Sequence, residues 1–241
     1  MIRRPTERRV VIGVIAFVAC IFVYDVYGST AQKQTSPTSK VETILEPEAI
    51  REAEQRLTDL GYWGGPIDQT FDLASRQALI AFQKVEGRKR TGSLNAEELE
   101  ALRKANRPRP LENNYPHIEI DLRLQVLFII EPGGIVSHIL PVSTGSGNLF
   151  TSEGWTRRAV TPMGRFAVQR KLQGWHKSPL GLLYYPSYIL SGIAIHGNPL
   201  VPATPASHGC IRIPMFAAKD FSEMTPVGTV VIVHDGSLLA P

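Results

Sequence analysis

The chain has 241 residues, of which 43% are apolar and 20% charged. That length and that apolar share allow one or two packed domains and exclude a wholly disordered chain. The net charge is +4, but Arg3, Arg4, Arg8 and Arg9 against Glu7 account for +3 of it; no basic stripe is left to follow a phosphate backbone, so nucleic acid is not expected as a partner.

Behind the four arginines an uncharged run extends from Val10 to Tyr24; Asp25 interrupts it, and Val26 and Tyr27 prolong it. A basic cluster followed by an apolar stretch is an export signal. Ser29-Thr30-Ala31 offers a site for cleavage, and Cys20 after Ala19 a weaker lipoprotein site. The favoured reading is an uncleaved anchor in residues 1–28, with the arginines retained in the cytoplasm and everything after residue 28 exported. The chain has two cysteines, Cys20 and Cys210. Cys20 lies in the apolar segment, so the exported part carries one thiol and no internal disulfide. A lone thiol in an oxidising compartment is an accident or a nucleophile.

Residues 29–47 are rich in Ser, Thr, Gln, Lys and Pro, the composition of a flexible linker. From Glu48 the period becomes helical: Ile50, Ala53, Leu57 and Leu60 share a face, and Gly61 is placed to end the helix. After the turn-rich stretch Gly64-Gly65-Pro66-Ile67-Asp68, a second helix is expected from Leu73 to Val85 with Asp72 as its N-cap. Asn95 with Glu98 has the spacing of a capping box for a third, carrying Leu99 and Leu102. The LGYW-GGPID turn, the stretch SRQALIAFQ and TGSLN before the third helix resemble the peptidoglycan-binding domain of bacterial cell-wall enzymes over residues 48–105. Gln69 and Asp72 stand where that family usually has glycines. The resemblance implies peptidoglycan binding; the bland alternative is a helical spacer.

Arg107-Pro108-Arg109-Pro110 opens a second linker, 106–114. Beyond it the period changes from 3.6 to 2. Strands are expected at His117–Leu122, at Val126–Ile130 and Ile135–Leu140 around the turn Glu131-Pro132-Gly133-Gly134, and at Phe166–Gln169, Gly192–His196 and Thr229–Val233. Residues 115–235 thus read as a mostly-β domain with a short tail, 236–241. The polar stretch 145–160, which includes Trp155, reads as a mobile loop.

The chemistry-bearing residues are close together. Ile195-His196-Gly197 ends an apolar strand, and Ser207-His208-Gly209-Cys210-Ile211-Arg212 follows eleven residues later. Thiolate is the nucleophilic form of cysteine, and a histidine within reach both favours it and can protonate a leaving amine. Gly209 leaves room for a substrate carbonyl, with its own N–H and that of Cys210 available to an oxyanion. Two alternatives stay open on chemistry alone: packing of Cys210, and a zinc site of His196, His208 and Cys210.

H-G followed by S-H-G-C-[apolar]-R, with TPMGRFAVQ at 161–169, GIAIHG at 192–197 and VGTVVIV at 227–233, resembles the L,D-transpeptidase (YkuD-type) catalytic domain over residues 115–235. With the segments read above, the chain is expected to be multidomain: a membrane or signal segment, a small three-helix peptidoglycan-binding domain, and a mostly-β, β-sandwich-like domain that the resemblance makes catalytic. The resemblance makes Cys210 the nucleophile and His196 the base. It puts His208 and Gly209 beside them as catalytic-loop residues. Arg212, Ser207, Gly197, Tyr184 and Tyr185 become candidates for substrate binding, and Tyr188 with the other two tyrosines either lines the donor pocket or packs the strand. The implied reaction cuts the L,D bond before the terminal D-alanine of a stem tetrapeptide through a Cys210 thioester and passes the acyl group to an amine. It requires no metal or other cofactor. Stem peptides would be donor and acceptor, on the periplasmic side of a bacterial envelope, with residues 10–27 in the inner membrane. Hydrolysis of the same bond and non-catalytic wall binding are the competing readings.

Overall fold

A computed structural model describes residues 46–236. The expected anchor 1–28, most of the linker 29–47 and residues 237–241 lie outside it. Among the described residues no helix is long and apolar enough to cross a membrane.

Three helices come first: α1 (Pro47–Asp59), α2 (Leu73–Val85) and α3 (Ala96–Lys104). Their ends are set by single residues. Gly61 has φ +93°, and the Tyr62 N–H behind it reaches back to the Leu57 carbonyl at 2.8 Å, the signature of a glycine-terminated helix. A Cβ on Gly61 would also lie 3.1 Å from the Val136 carbonyl oxygen. Asp72 caps α2 by accepting the Ser75 N–H at 2.9 Å. Asn95 caps α3 through the Glu98 N–H at 2.9 Å. The box is only half made, however: the Glu98 carboxylate turns away to pair with Arg88 at 3.0 Å.

The rest is mostly β. One five-stranded sheet has the order β3 (Ile135–Pro141), β2 (Val126–Glu131), β1 (His117–Asp121), β12 (Val230–His234), β6 (Gly164–Ala167). In the second, β11 (Ile211–Pro214), β10 (Ile193–Asn198), β9 (Gly181–Leu190) and β7 (Arg170–Lys171) are in line, and β8 (Trp175–Ser178) pairs with the first half of the long β9. The inner faces pack on each other through Ile118, Ile120, Leu127 and Ile129 from one sheet and Ile189, Ile195, Ile211 and Ile213 from the other. A fourth helix, α4 (Met215–Met224), follows β11 directly and seals this core with Ala217, Ala218 and Phe221.

Three features differ from the sequence expectation. Within the stretch 145–160 read as a mobile loop, residues 149–158 form a hairpin, β4 (Leu149–Ser152) with β5 (Trp155–Arg158). Its strands are wholly or partly exposed on both faces, so they lack the alternation that marks a half-buried strand. The helix α4 lies within the β-domain. And β2 is buried on both sides: Leu127 and Ile129 face the sandwich, while Val126, Phe128 and Ile130 join Leu57, Leu79 and Phe82 of the helices in one core. The unbroken apolar run Val126–Ile130 is what burial on both faces requires. The segment 106–114 carries no helix or strand, yet it is tied down. Arg107 donates to the carbonyls of Asp59 and Val136, and the buried Glu119 carboxylate accepts the N–H groups of Leu111 and Glu112 at 2.8 Å.

Candidate active site

Two parallel strands fix the site. β10 and β11 pair with Ile195 opposite Ile211 and His196 opposite Arg212. The crossover between them is residues 199–210, so Cys210 arrives one residue before β11, against Leu183, Tyr188 and Ala194. The sequence brings the chain in this way because the apolar Ile211 and Ile213 must face the sandwich, leaving Arg212 on the other side.

His196 is 3% exposed. Its Nδ1 lies 3.0 Å from the Gly197 carbonyl oxygen. A carbonyl can only accept, so Nδ1 carries the proton and Nε2 presents a lone pair. Burial, with the Arg212 guanidinium adding to it, pushes His196 down to about 4, so the ring is neutral at neutral pH. The Cys210 thiol is raised above its usual value, first by burial; the Ala194 backbone and the Arg212 charge pull the other way. It donates to the Gly192 carbonyl at 3.5 Å and makes no hydrogen bond to His196. The resting site therefore holds a neutral thiol and a neutral imidazole.

Ser207 is a structural pin. Its Oγ donates to the Cys210 carbonyl at 2.5 Å and accepts the Gly209 N–H at 3.0 Å. That N–H is thus engaged, against the expectation that it is free for an oxyanion. Gly209 has φ +135°, its carbonyl accepts from Thr161 Oγ1 at 2.7 Å, and a Cβ on it would press on Val160 and Ile193 at 3.0 Å. Gly197 also differs from expectation. A Cβ there would come within 2.6 Å of Ala218 Cβ, so glycine lets α4 approach the strand, and only its carbonyl serves the site.

A cavity of about 570 Å³ opens over this corner, lined by His196, Ser207, His208, Cys210 and Arg212 among others. His208 is exposed and its ring packs at a tilt against Phe150 of the hairpin, ring centres 4.7 Å apart. Arg212 is half-buried, with its charge beside the thiol. Tyr184 and Tyr185 are not brought into the cavity: their rings meet edge to face, centres 4.7 Å apart, and pack on the sandwich core. Of the three tyrosines considered, Tyr188 lines it, with the Arg170 guanidinium 4.2 Å over its ring. Sequence reasoning missed Arg157, Arg158, Arg170 and Lys177 on the cavity wall. They come from β5, β7 and β8, and no local pattern shows that these short strands converge. Among the described residues, no three His, Cys, Asp or Glu side chains gather to hold a metal ion.

The YkuD family model, an L,D-transpeptidase catalytic domain, matches residues 115–233, and a peptidoglycan-binding domain model matches residues 46–102. Among solved structures, the chain is similar to an L,D-transpeptidase from Xylanimonas cellulosilytica. The identity is 37% over 78% of this chain and 94% of that one, with a TM-score of 0.74. An L,D-transpeptidase from Stackebrandtia nassauensis is 22% identical over 78% of this chain and 91% of that one, with a TM-score of 0.45. No curated protein matches the chain.

Proposed function

Because the chain belongs to the YkuD family of L,D-transpeptidases, we propose that it cross-links peptidoglycan by acyl transfer through Cys210, with His196 as the base. One observation carries this: the Cys210 thiol, a histidine of known tautomer and the Arg212 guanidinium meet in a single cavity.

Transfer begins when a bound stem peptide excludes water from the corner. The Cys210 proton passes to His196 Nε2, and sulfur attacks the carbonyl carbon of the third stem residue. The tetrahedral oxyanion collapses, the C–N bond to D-alanine breaks, and His196 returns the proton to the departing amine. A thioester remains. An acceptor amine then attacks it, His196 takes the amine proton, and the proton returns to sulfur as the thiolate leaves. Arg212 supplies the positive charge that favours thiolate and oxyanion. Ser207 and Gly209 shape the turn before the nucleophile. His208, packed against Phe150, borders the substrate. The cationic wall of Arg157, Arg158, Arg170 and Lys177 suits a donor that carries free carboxylates.

In the same reading the helical module holds the enzyme on peptidoglycan, and residues 10–27 tether it to the inner membrane, facing outward; fractionation of cells with and without residues 1–28 tests the tether. The catalytic reading is tested with the full-length chain and disaccharide-tetrapeptide, products read by mass spectrometry. Dimers with release of D-alanine, absent in Cys210→Ala, are the expected result. D-alanine released without dimers makes the enzyme a carboxypeptidase. Bare enzyme with no thioester and no release would sink the catalytic reading.

A further inference from the structure

One side chain of the helical module crosses into the β-domain. Lys84, near the end of α2, is 1% exposed. Its Nζ donates to the main-chain carbonyls of Gln125 and Val142, each at 2.9 Å. Burying an ammonium is costly, and an aliphatic side chain of similar length would fill the space without that cost. What distinguishes lysine at this position is the pair of carbonyls it holds.

Those carbonyls begin a continuous path to the nucleophile. The Gln125 side chain closes on Thr144: Nε2 donates to Thr144 Oγ1 at 2.7 Å, and Oε1 accepts the Thr144 N–H at 3.0 Å. The Thr144 carbonyl accepts the N–H groups of Ala206 and Ser207 at 3.0 and 2.9 Å. Ser207 in turn grips the Cys210 carbonyl. Ser143, between Val142 and Thr144, exchanges both backbone hydrogen bonds with Arg212 at 3.1 Å, and its hydroxyl donates to the Thr204 carbonyl at 2.9 Å. A second tie is independent of Lys84. Arg90, just after α2, donates from Nη1 to the Ala203 carbonyl at 3.0 Å, in the same crossover.

We propose that Lys84 and Arg90 of the helical module are positioning residues for Cys210, so that the wall-binding module is also a structural part of the catalytic loop. Neither touches substrate; both act through the crossover 199–210. The proposal rests on Cys210 being the nucleophile.

The test follows thioester formation on the full-length chain with disaccharide-tetrapeptide, by rapid quench and intact mass. Lys84→Met and Thr144→Val should each lower kcat for thioester formation about ten-fold, with KM for the donor within about two-fold. Because Thr144 lies on one of the two branches that start at Lys84, the double variant should be no slower than Lys84→Met alone. Arg90→Ala should slow the step about three-fold with an unchanged near-ultraviolet circular dichroism spectrum. Wild-type kcat in folded Lys84→Met and Arg90→Ala overturns the proposal, as does multiplicative slowing in the double variant. Should Lys84→Met fail to fold, Arg90→Ala and Thr144→Val decide it, and a wild-type rate in both overturns it. Absence of a thioester on the wild-type enzyme overturns the nucleophile reading itself, and the positioning with it.

Discussion

At the scale of single residues, burial sets the chemistry. His196 is held near 4 in the folded chain and returns to about 6.5 when unfolded. Between those values the unfolded chain binds a proton that the folded chain refuses, so stability is lost as pH falls from about 6.5 to about 4, by up to about 3 kcal/mol. Urea unfolding of wild type and His196→Gln at pH 7 and pH 4.5 measures this: the variant should lose less over the window. Equal losses would show that His196 carries no burial penalty. The residues proposed to react could be singled out in the sequence because H-G and S-H-G-C-x-R place them at fixed short spacing. Tyr184 and Tyr185 could not be placed, since a strand's sequence does not say which of its faces meets the core and which the cavity. Gly209 shows the same limit. Its lack of a side chain was readable, while the capture of its N–H by Ser207 depends on how the loop folds back.

At the scale of elements, what is local was legible and what is paired at a distance was not. The helix α2 runs from Leu73 to Val85 as its periodicity predicts, because Asp72 caps it from within the same turn. Asp72→Ala should cost about 1 kcal/mol in thermal or urea unfolding, and Asp72→Asn much less. A change near zero would show that tertiary packing alone fixes the start of α2. The capping box at α3 was over-read: a carboxylate chooses among all donors within reach, and Arg88 outcompetes the backbone N–H for Glu98. The strands β7 and β8 are two and four residues long and depend wholly on β9 as partner. A segment that short carries no period of its own.

For the whole molecule, the apolar faces of α1 and α2 and of β2 make one core, not two. The change of period near residue 110 located two kinds of structure correctly, but period does not reveal that they share a core. A chain cut at residue 106 to leave only the β-domain would bare Val126, Phe128, Ile130, Val136 and Ile139 together, a contiguous apolar patch of the kind soluble monomers avoid. We expect that fragment to aggregate or to bind a hydrophobic dye strongly, whereas the chain from residue 42 onward stays monomeric in size-exclusion chromatography. A monomeric, dye-silent fragment would contradict the shared core. The contact of Tyr62 and Trp63 with Ile139 adds to this dependence: Trp63 N–H and the Gly61 carbonyl take up the backbone groups of Ile139 on the free side of β3. The module thus closes an edge that would otherwise be open to another chain.

The strand β2, sandwiched between helices and sheet, also dictates an order of events in synthesis. A chain delivered N-terminus first presents α1, α2 and α3 before Val126–Ile130 exists. Part of the core those helices share comes from β2 and β3, so that core is complete only once the chain as far as Pro141 has emerged. The core of the helical module is therefore finished by the β-domain, and a chain interrupted between residues 105 and 126 would lack the β2 side of that core.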